Sequence, residues 1–261
     1  MNNLNPKAVA DALHAAGSWE LVEAQLASHI ADTLRSALAS KGRASVAFSG
    51  GSTPAGMMRH LAAESLDWSK VFVTLVDERC VAPTHERSNA KLLKENFLDL
   101  LATPANFEPL FLDAESTTER AQRLAVFQLP FDVVHLGMGT DAHTASFFPD
   151  ADNVAAMIDK AGVDSLALTR SEASVEDRIT WTLPALIDAT SIVLQIKGEG
   201  KSEVLLDALQ RLSSASSDDE TQTVRCEKPI AAMISYRNLV VAGAAESASV
   251  DRPLAVYYAK N

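Results

Sequence analysis

The sequence predicts an α/β protein in which helices cover both faces of a largely parallel sheet. Short apolar runs alternate with helix-forming stretches, each run ends in glycine or a charged pair, and the segments between them are long enough for crossovers. Parallel strands require such crossover connections, and an apolar run without alternation suits a strand buried on both faces. The length of 261 residues fits one domain of this class, read as spanning 1–261, and 47% apolar with 22% charged residues is ordinary for a packed globular chain.

The first regular element is an amphipathic helix after Ser18, where Val22, Leu26, Ile30, Leu34 and Leu38 recur every four residues. Ala44–Phe48 follows as a strand, then the turn Ser49-Gly50-Gly51-Ser52-Thr53-Pro54, then a helix over Ala55–Glu64. Further strands are expected at Val71–Glu78, Phe131–Gly139, Thr190–Gly198 and Leu239–Gly243, with helices around Ser88–Leu101, Thr118–Gln128 and Lys201–Leu212. Ser213–Gln222, rich in serine and acidic residues, reads as one solvated loop. No repeat of 20–50 residues is present.

Asp and Glu total 34 against 23 Lys and Arg, a formal net charge of −11 with no basic run. That balance excludes nucleic acid and an anionic membrane surface as partners, because both need clustered cations. A small anionic ligand remains compatible if a cleft is locally positive. No run of eighteen apolar residues occurs, and the N-terminus lacks a basic segment followed by an apolar one, so a cytoplasmic location is expected. Cys80 and Cys226 are the only cysteines, too few for a disulfide framework or a protein-only zinc site, and are read as reduced packing residues. Nothing in the sequence distinguishes a monomer from a homodimer.

Ligands of open parallel sheets bind at the carboxyl ends of the strands, so the residues just after each apolar run are the informative ones. Gly50, Gly51, Ser52 and Thr53 place two glycines, two hydroxyls and a helix N-terminus together, which suits a phosphate. No Gly-Lys-Ser/Thr follows, so this is not a nucleoside triphosphate loop. Asp77, Glu78 and Arg79 end the next run, and strand alternation sends Asp77 and Arg79 to one side and Glu78 to the other. The third strand end, Gly137–Ser146, holds Asp141 and His143 two residues apart, a spacing at which a carboxylate can fix the imidazole tautomer and leave a general base. Its loose likeness to a dinucleotide turn is set aside because Pro149 interrupts any helix opening there. His135, inside the strand, reads as a packed residue. Arg178 and Lys201 add cations near the last strands, and a structural or surface role is the competing reading for each.

Taken in order, AFSGGSTP, VDERCVAPTHERSNAKLL, FDVVHLGMGTDAHTASFFPD, RITWTLPAL and GEGKSEVL resemble the signature blocks of the 6-phosphogluconolactonases, which share a superfamily with glucosamine-6-phosphate isomerase/deaminase. The resemblance runs from about Phe48 to Lys201. It implies a three-layer α/β/α fold with a Rossmann-like central sheet, no metal and no organic cofactor. It also implies hydrolysis of 6-phospho-D-glucono-1,5-lactone in an oxidative pentose phosphate or Entner–Doudoroff context. Carried over by position, Gly50, Gly51, Ser52 and Thr53 face the sugar phosphate with Arg178 and Lys201, while Asp77, Arg79, Asp141 and His143 surround the lactone. Where the family commonly has Asp-Gly-His, this chain has Asp141-Ala142-His143, and the added methyl is accommodated if φ stays negative there. Two other activities remain open: an isomerase/deaminase, disfavoured by Arg79 after the acidic pair, and a non-catalytic sugar-phosphate sensor.

Overall fold

The computed structural model describes residues 5–15, 17–172, 174–243 and 252–260. Helix α1 (Pro6–His14) is capped by Asn5 and α2 (Trp19–Lys41) by Ser18, with Gly42 in the left-handed region closing α2. The four-residue repeat foreseen for α2 is its buried stripe, with Leu26, Ile30 and Leu34 fully enclosed. Next come β1 (Ala44–Phe48), α3 (Ala55–Ala62), β2 (Val71–Leu75), β3 (Asp77–Arg79), α4 (Asn89–Asn96), β4 (Asn106–Phe107) and α5 (Thr117–Leu124). The chain then forms β5 (Val133–Leu136), α6 (Val154–Met157), β6 (Leu166–Thr169), β7 (Arg178–Trp181), α7 (Leu183–Ile187) and β8 (Ser191–Lys197). It closes with α8 (Glu199–Ser214), α9 (Asp218–Glu227), α10 (Ile230–Tyr236), β9 (Leu239–Val241) and β10 (Leu254–Ala259).

Seven strands form an all-parallel sheet in the order β4-β2-β1-β5-β8-β10-β9. All five residues of β1 and all four of β5 are buried, as strands covered on both faces must be. Helix α2 packs on α3, β1 and β10, while α8 packs on α1, α9 and α10, so helices flank the sheet. One continuous apolar core joins these layers, from Leu13 on α1 to Ala259 on β10.

Four expectations about the elements require correction. Regular structure begins with α1, ahead of the helix expected to come first after Ser18. The Val71–Glu78 run divides: β2 stays in the parallel sheet, whereas β3 leaves it and pairs antiparallel with β7 in a small sheet ordered β3-β7-β6. The helix expected over Thr118–Gln128 ends at Leu124, followed by a 3₁₀ turn and Gln128 at φ 50. Ser213–Gln222 is mostly helical, with α8 running to Ser214 and α9 starting at Asp218. The acidic cluster that looked like a solvated loop is the first turn of α9, where Asp218, Asp219 and Glu220 complement the helix dipole below the Ser217 cap.

Candidate active site

The carboxyl ends of β1, β5 and β8 open onto a cleft of about 440 Å³. Every candidate residue lines it: Gly50, Gly51, Ser52 and Thr53 after β1, Asp77 and Arg79 on β3, Asp141 and His143 after β5, Arg178 on β7 and Lys201 on α8. The small antiparallel sheet explains how Asp77, Arg79 and Arg178 arrive there. Register places Arg79 opposite Arg178 and Asp77 opposite Thr180, so the side-by-side strands deliver all three side chains to one wall.

The turn after β1 is shaped by its glycines. Gly51 takes φ 88, and a Cβ on Gly50 would lie 2.0 Å from Asn89 Oδ1, so only a glycine lets Asn89 close against the turn. Pro54 stands at the N-cap of α3 and makes no side-chain cap bond, which leaves the helix amino end open toward the cleft.

Between β5 and Pro149 the chain folds into a tight loop in which the Gly139 N–H donates to the His143 carbonyl at 2.9 Å. His143 Nδ1 lies 2.6 Å from Asp141 Oδ1, and the same oxygen accepts from the His143 backbone N–H at 3.2 Å. Burial pushes the Asp141 carboxyl up, but the hydrogen bonds and charge interaction with His143 outweigh it and hold the group below its usual value. An ionised Asp141 accepts the Nδ1 proton, so the Nε2 lone pair is the one free to take a proton. The Phe148 ring packs 4.8 Å from the imidazole, centroid to centroid. Gly139 is obligatory here, because a Cβ would lie 2.3 Å from His143 Nδ1 and 2.4 Å from Asp141 Oδ1. Ala142 departs from the expectation of negative φ: it sits at φ 70, fully buried, and its carbonyl accepts from the Ile230 N–H of α10 at 3.0 Å. The His143–Asp141 contact nevertheless forms, because α10 holds the loop from behind.

The acidic pair before Arg79 splits as alternation requires. Glu78 points away from the cleft, buried, and accepts from the N–H groups of Arg79, Asn89 and Ala90 and from the Ser88 hydroxyl, at 2.7 to 2.9 Å. Burial is the largest influence on its carboxyl and raises it, against those four bonds. Asn89, thus fixed at the start of α4, accepts from Arg79 Nη1 at 2.7 Å and donates to the Asp77 carbonyl at 3.0 Å. Arg79 also donates to the Arg87 carbonyl at 2.8 Å. The Asp77 carboxylate does not touch Arg79. It accepts from Ser146 Oγ at 2.5 Å and faces Arg178 Nη1 at 3.6 Å. Arg178 also donates to Ser174 and lies over Phe148. Burial lowers the guanidinium of Arg178 and the ammonium of Lys201 below their usual values.

Asn89, Ser146, Phe148 and Gln195 are functional candidates that sequence reasoning did not single out, although all line the cleft or hold its residues. For Gln195 there was a signal: a polar residue inside the apolar run SIVLQIK has to find a partner.

The family model described as glucosamine-6-phosphate isomerases/6-phosphogluconolactonase matches residues 18–238. The chain belongs to this family. A 6-phosphogluconolactonase from Rhizobium meliloti is 42% identical over 234 residues, covering 88% of this chain and 90% of that protein. One from Mesorhizobium japonicum is 44% identical over 180 residues, 67% of this chain and 76% of the other. Among solved structures, a 6-phosphogluconolactonase from Shewanella baltica superposes with a TM-score of 0.76 at 31% identity, covering 92% of this chain and 94% of its own. The family's sugar-phosphate chemistry agrees with a cleft in which three cations, Arg79, Arg178 and Lys201, face two carboxylates, Asp77 and Asp141.

Proposed function

We propose that this protein hydrolyses 6-phospho-D-glucono-1,5-lactone to 6-phosphogluconate, with His143 as general base. The observation that carries the reading is the His143–Asp141 pair at 2.6 Å, lining the same cleft as a glycine turn, a helix N-terminus and Lys201. A six-membered sugar lactone is a reactive ester, so what a catalyst must supply is position, a base for water and support for the developing oxyanion. His143 Nε2 takes a proton from water as its oxygen bonds to the lactone carbonyl carbon, and Asp141 stabilises the resulting imidazolium. Arg79, held by Asn89 and the Arg87 carbonyl, supports the negative oxygen. Collapse of the tetrahedral adduct breaks the bond from that carbon to the ring oxygen, which recovers the proton from His143. Asp77 positions Arg178 and the Ser146 hydroxyl, while Gly50, Gly51, Ser52, Thr53 and Lys201 receive the phosphate together with Arg178.

The one-domain reading of 1–261 is supported by the single continuous core, and a cytoplasmic location by the two unpaired cysteines. Among the described residues, no helix is long and apolar enough to cross a membrane.

The test generates the lactone in place from glucose 6-phosphate and follows its loss above spontaneous hydrolysis. Wild-type protein should accelerate it, and His143→Ala should lower kcat by roughly 10²- to 10⁴-fold with little change in KM. Lys201→Ala should act mainly on KM. Release of ammonia from glucosamine 6-phosphate, with no lactone turnover, would reverse the assignment in favour of the deaminase branch of the family.

A further inference from the structure

Two polar side chains stand on the central strands beneath the cleft, and the mechanism above uses neither. His135 on β5 and Gln195 on β8 are each 1% exposed, and both line the cleft floor. Register pairs His135 with Val193, so Gln195, two residues further along a neighbouring strand, faces the same side. His135 Nε2 and Gln195 Oε1 are 2.9 Å apart, and the Ser49 N–H points at His135 Nδ1 from 3.4 Å while donating mainly to the His135 carbonyl at 2.9 Å.

These contacts fix every proton. The Ser49 N–H requires a lone pair on Nδ1, so a neutral imidazole carries its proton on Nε2 and donates it to Gln195 Oε1. Burial keeps the imidazole neutral, pushing its pKa down to about 4 despite the bond to Gln195. Turning the amide over would set two N–H donors against each other. The amide Nε2 is therefore a buried donor on a residue that lines the cleft, and it has no partner among the described residues.

A buried donor left unpaired is unfavourable unless a ligand completes it. The loop after β5 brings His143 and Asp141 to the cleft, and the start of α8, after β8, brings Lys201 to it. A ligand held by both segments lies over the floor that the adjacent strands β5 and β8 form between them. We infer that Gln195 is a specificity-determining contact, its amide N–H donating to one hydroxyl oxygen on the middle carbons of the sugar phosphate. The inference rests on the sugar-phosphate reading of the cleft. It adds the statement that one particular hydroxyl is recognised, by a donor that His135 and Ser49 hold in orientation.

The experiment compares kcat/KM of wild type, Gln195→Leu and Gln195→Met on the parent lactone and on chemically prepared analogues, each lacking one ring hydroxyl, with thermal unfolding as a check on folding. For the parent, Gln195→Leu should lose about tenfold, chiefly through KM. For one analogue, wild type and Gln195→Leu should be equal, because the oxygen that Gln195 serves is gone, while the other analogues keep the tenfold gap. Gln195→Met is close in size to glutamine, offers the hydroxyl neither donor nor carboxylate and should show the same selective loss, which gives the readout if the leucine variant does not fold. An equal loss on every substrate, or no loss on any, with an active wild type overturns this inference alone. A wild type inert toward all the lactones overturns the functional reading beneath it.

Discussion

At the scale of single residues, the site depends on positions where a methyl group matters. Gly139→Ala would drive a Cβ into both members of the His143–Asp141 pair, so the pair must open while the surrounding fold stays intact. The expected result is a fall in kcat of roughly 10²-fold or more with an unfolding midpoint close to wild type, since the loss is of general-base catalysis and not of core. Ala142 shows the opposite balance. Its left-handed φ costs about 1–2 kcal/mol, offset by about 0.8 kcal/mol for the buried methyl, so Ala142→Gly should stay within about 1 kcal/mol of wild type on denaturant titration. His135 gives a pH signature. Its folded pKa of about 4 lies below the unfolded value of 6.5, so the unfolded chain binds more protons between those values and stability falls as pH drops through that window. Between pH 7 and pH 5 the histidine should account for about 2 kcal/mol of lost stability, and His135→Gln should lose that much less over the same interval.

At the scale of elements, the wall carrying Arg79 hangs on the amino end of α4. Glu78 accepts four hydrogen bonds there, so Glu78→Ala strips partners from Ser88, Arg79, Asn89 and Ala90 at once. A destabilisation of about 3 kcal/mol is expected by chemical denaturation, and lactone turnover should fall with it because Asn89 no longer holds the guanidinium. This network also marks how far the sequence could be read. Alternation alone put Asp77 and Arg79 on one side and Glu78 on the other, and the apolar runs located β1, β2, β5, β8 and β9. What periodicity does not carry is strand partnership: β3 turns away after Val76 to join β7 and β6, and nothing local in VFVTLVDER announces the change. The same ignorance of partnership hid Gln195, whose role depends on β8 lying beside β5, and Ser146, whose hydroxyl meets Asp77 across 69 residues of sequence. Strand β10, in PLAVYYA, was missed although its six residues are buried and pair with β8 along their whole length.

At the scale of the whole molecule, an acidic body carries a cleft of the opposite sign. The net charge of −11 repels a sugar-phosphate anion at long range, while Arg79, Arg178 and Lys201 attract it only once it has arrived. The two effects respond differently to salt. The Debye length shrinks from about 30 Å at 0.01 M to about 8 Å at 0.15 M, which removes repulsion acting over tens of ångströms. Cations that line the cleft and are partly buried, as Arg178 and Lys201 are, are screened much less from an anion held there. Raising ionic strength across that range should therefore increase kcat/KM for the lactone, by about twofold, where an enzyme steered by a positive surface would show a decrease. Lys201→Ala should lower kcat/KM by roughly tenfold at every salt concentration and keep the same upward slope, because it removes the local attraction and leaves the distant repulsion in place. A decrease with salt in the wild type would mean that the cleft's positive potential extends beyond its mouth and outweighs the acidic surface around it.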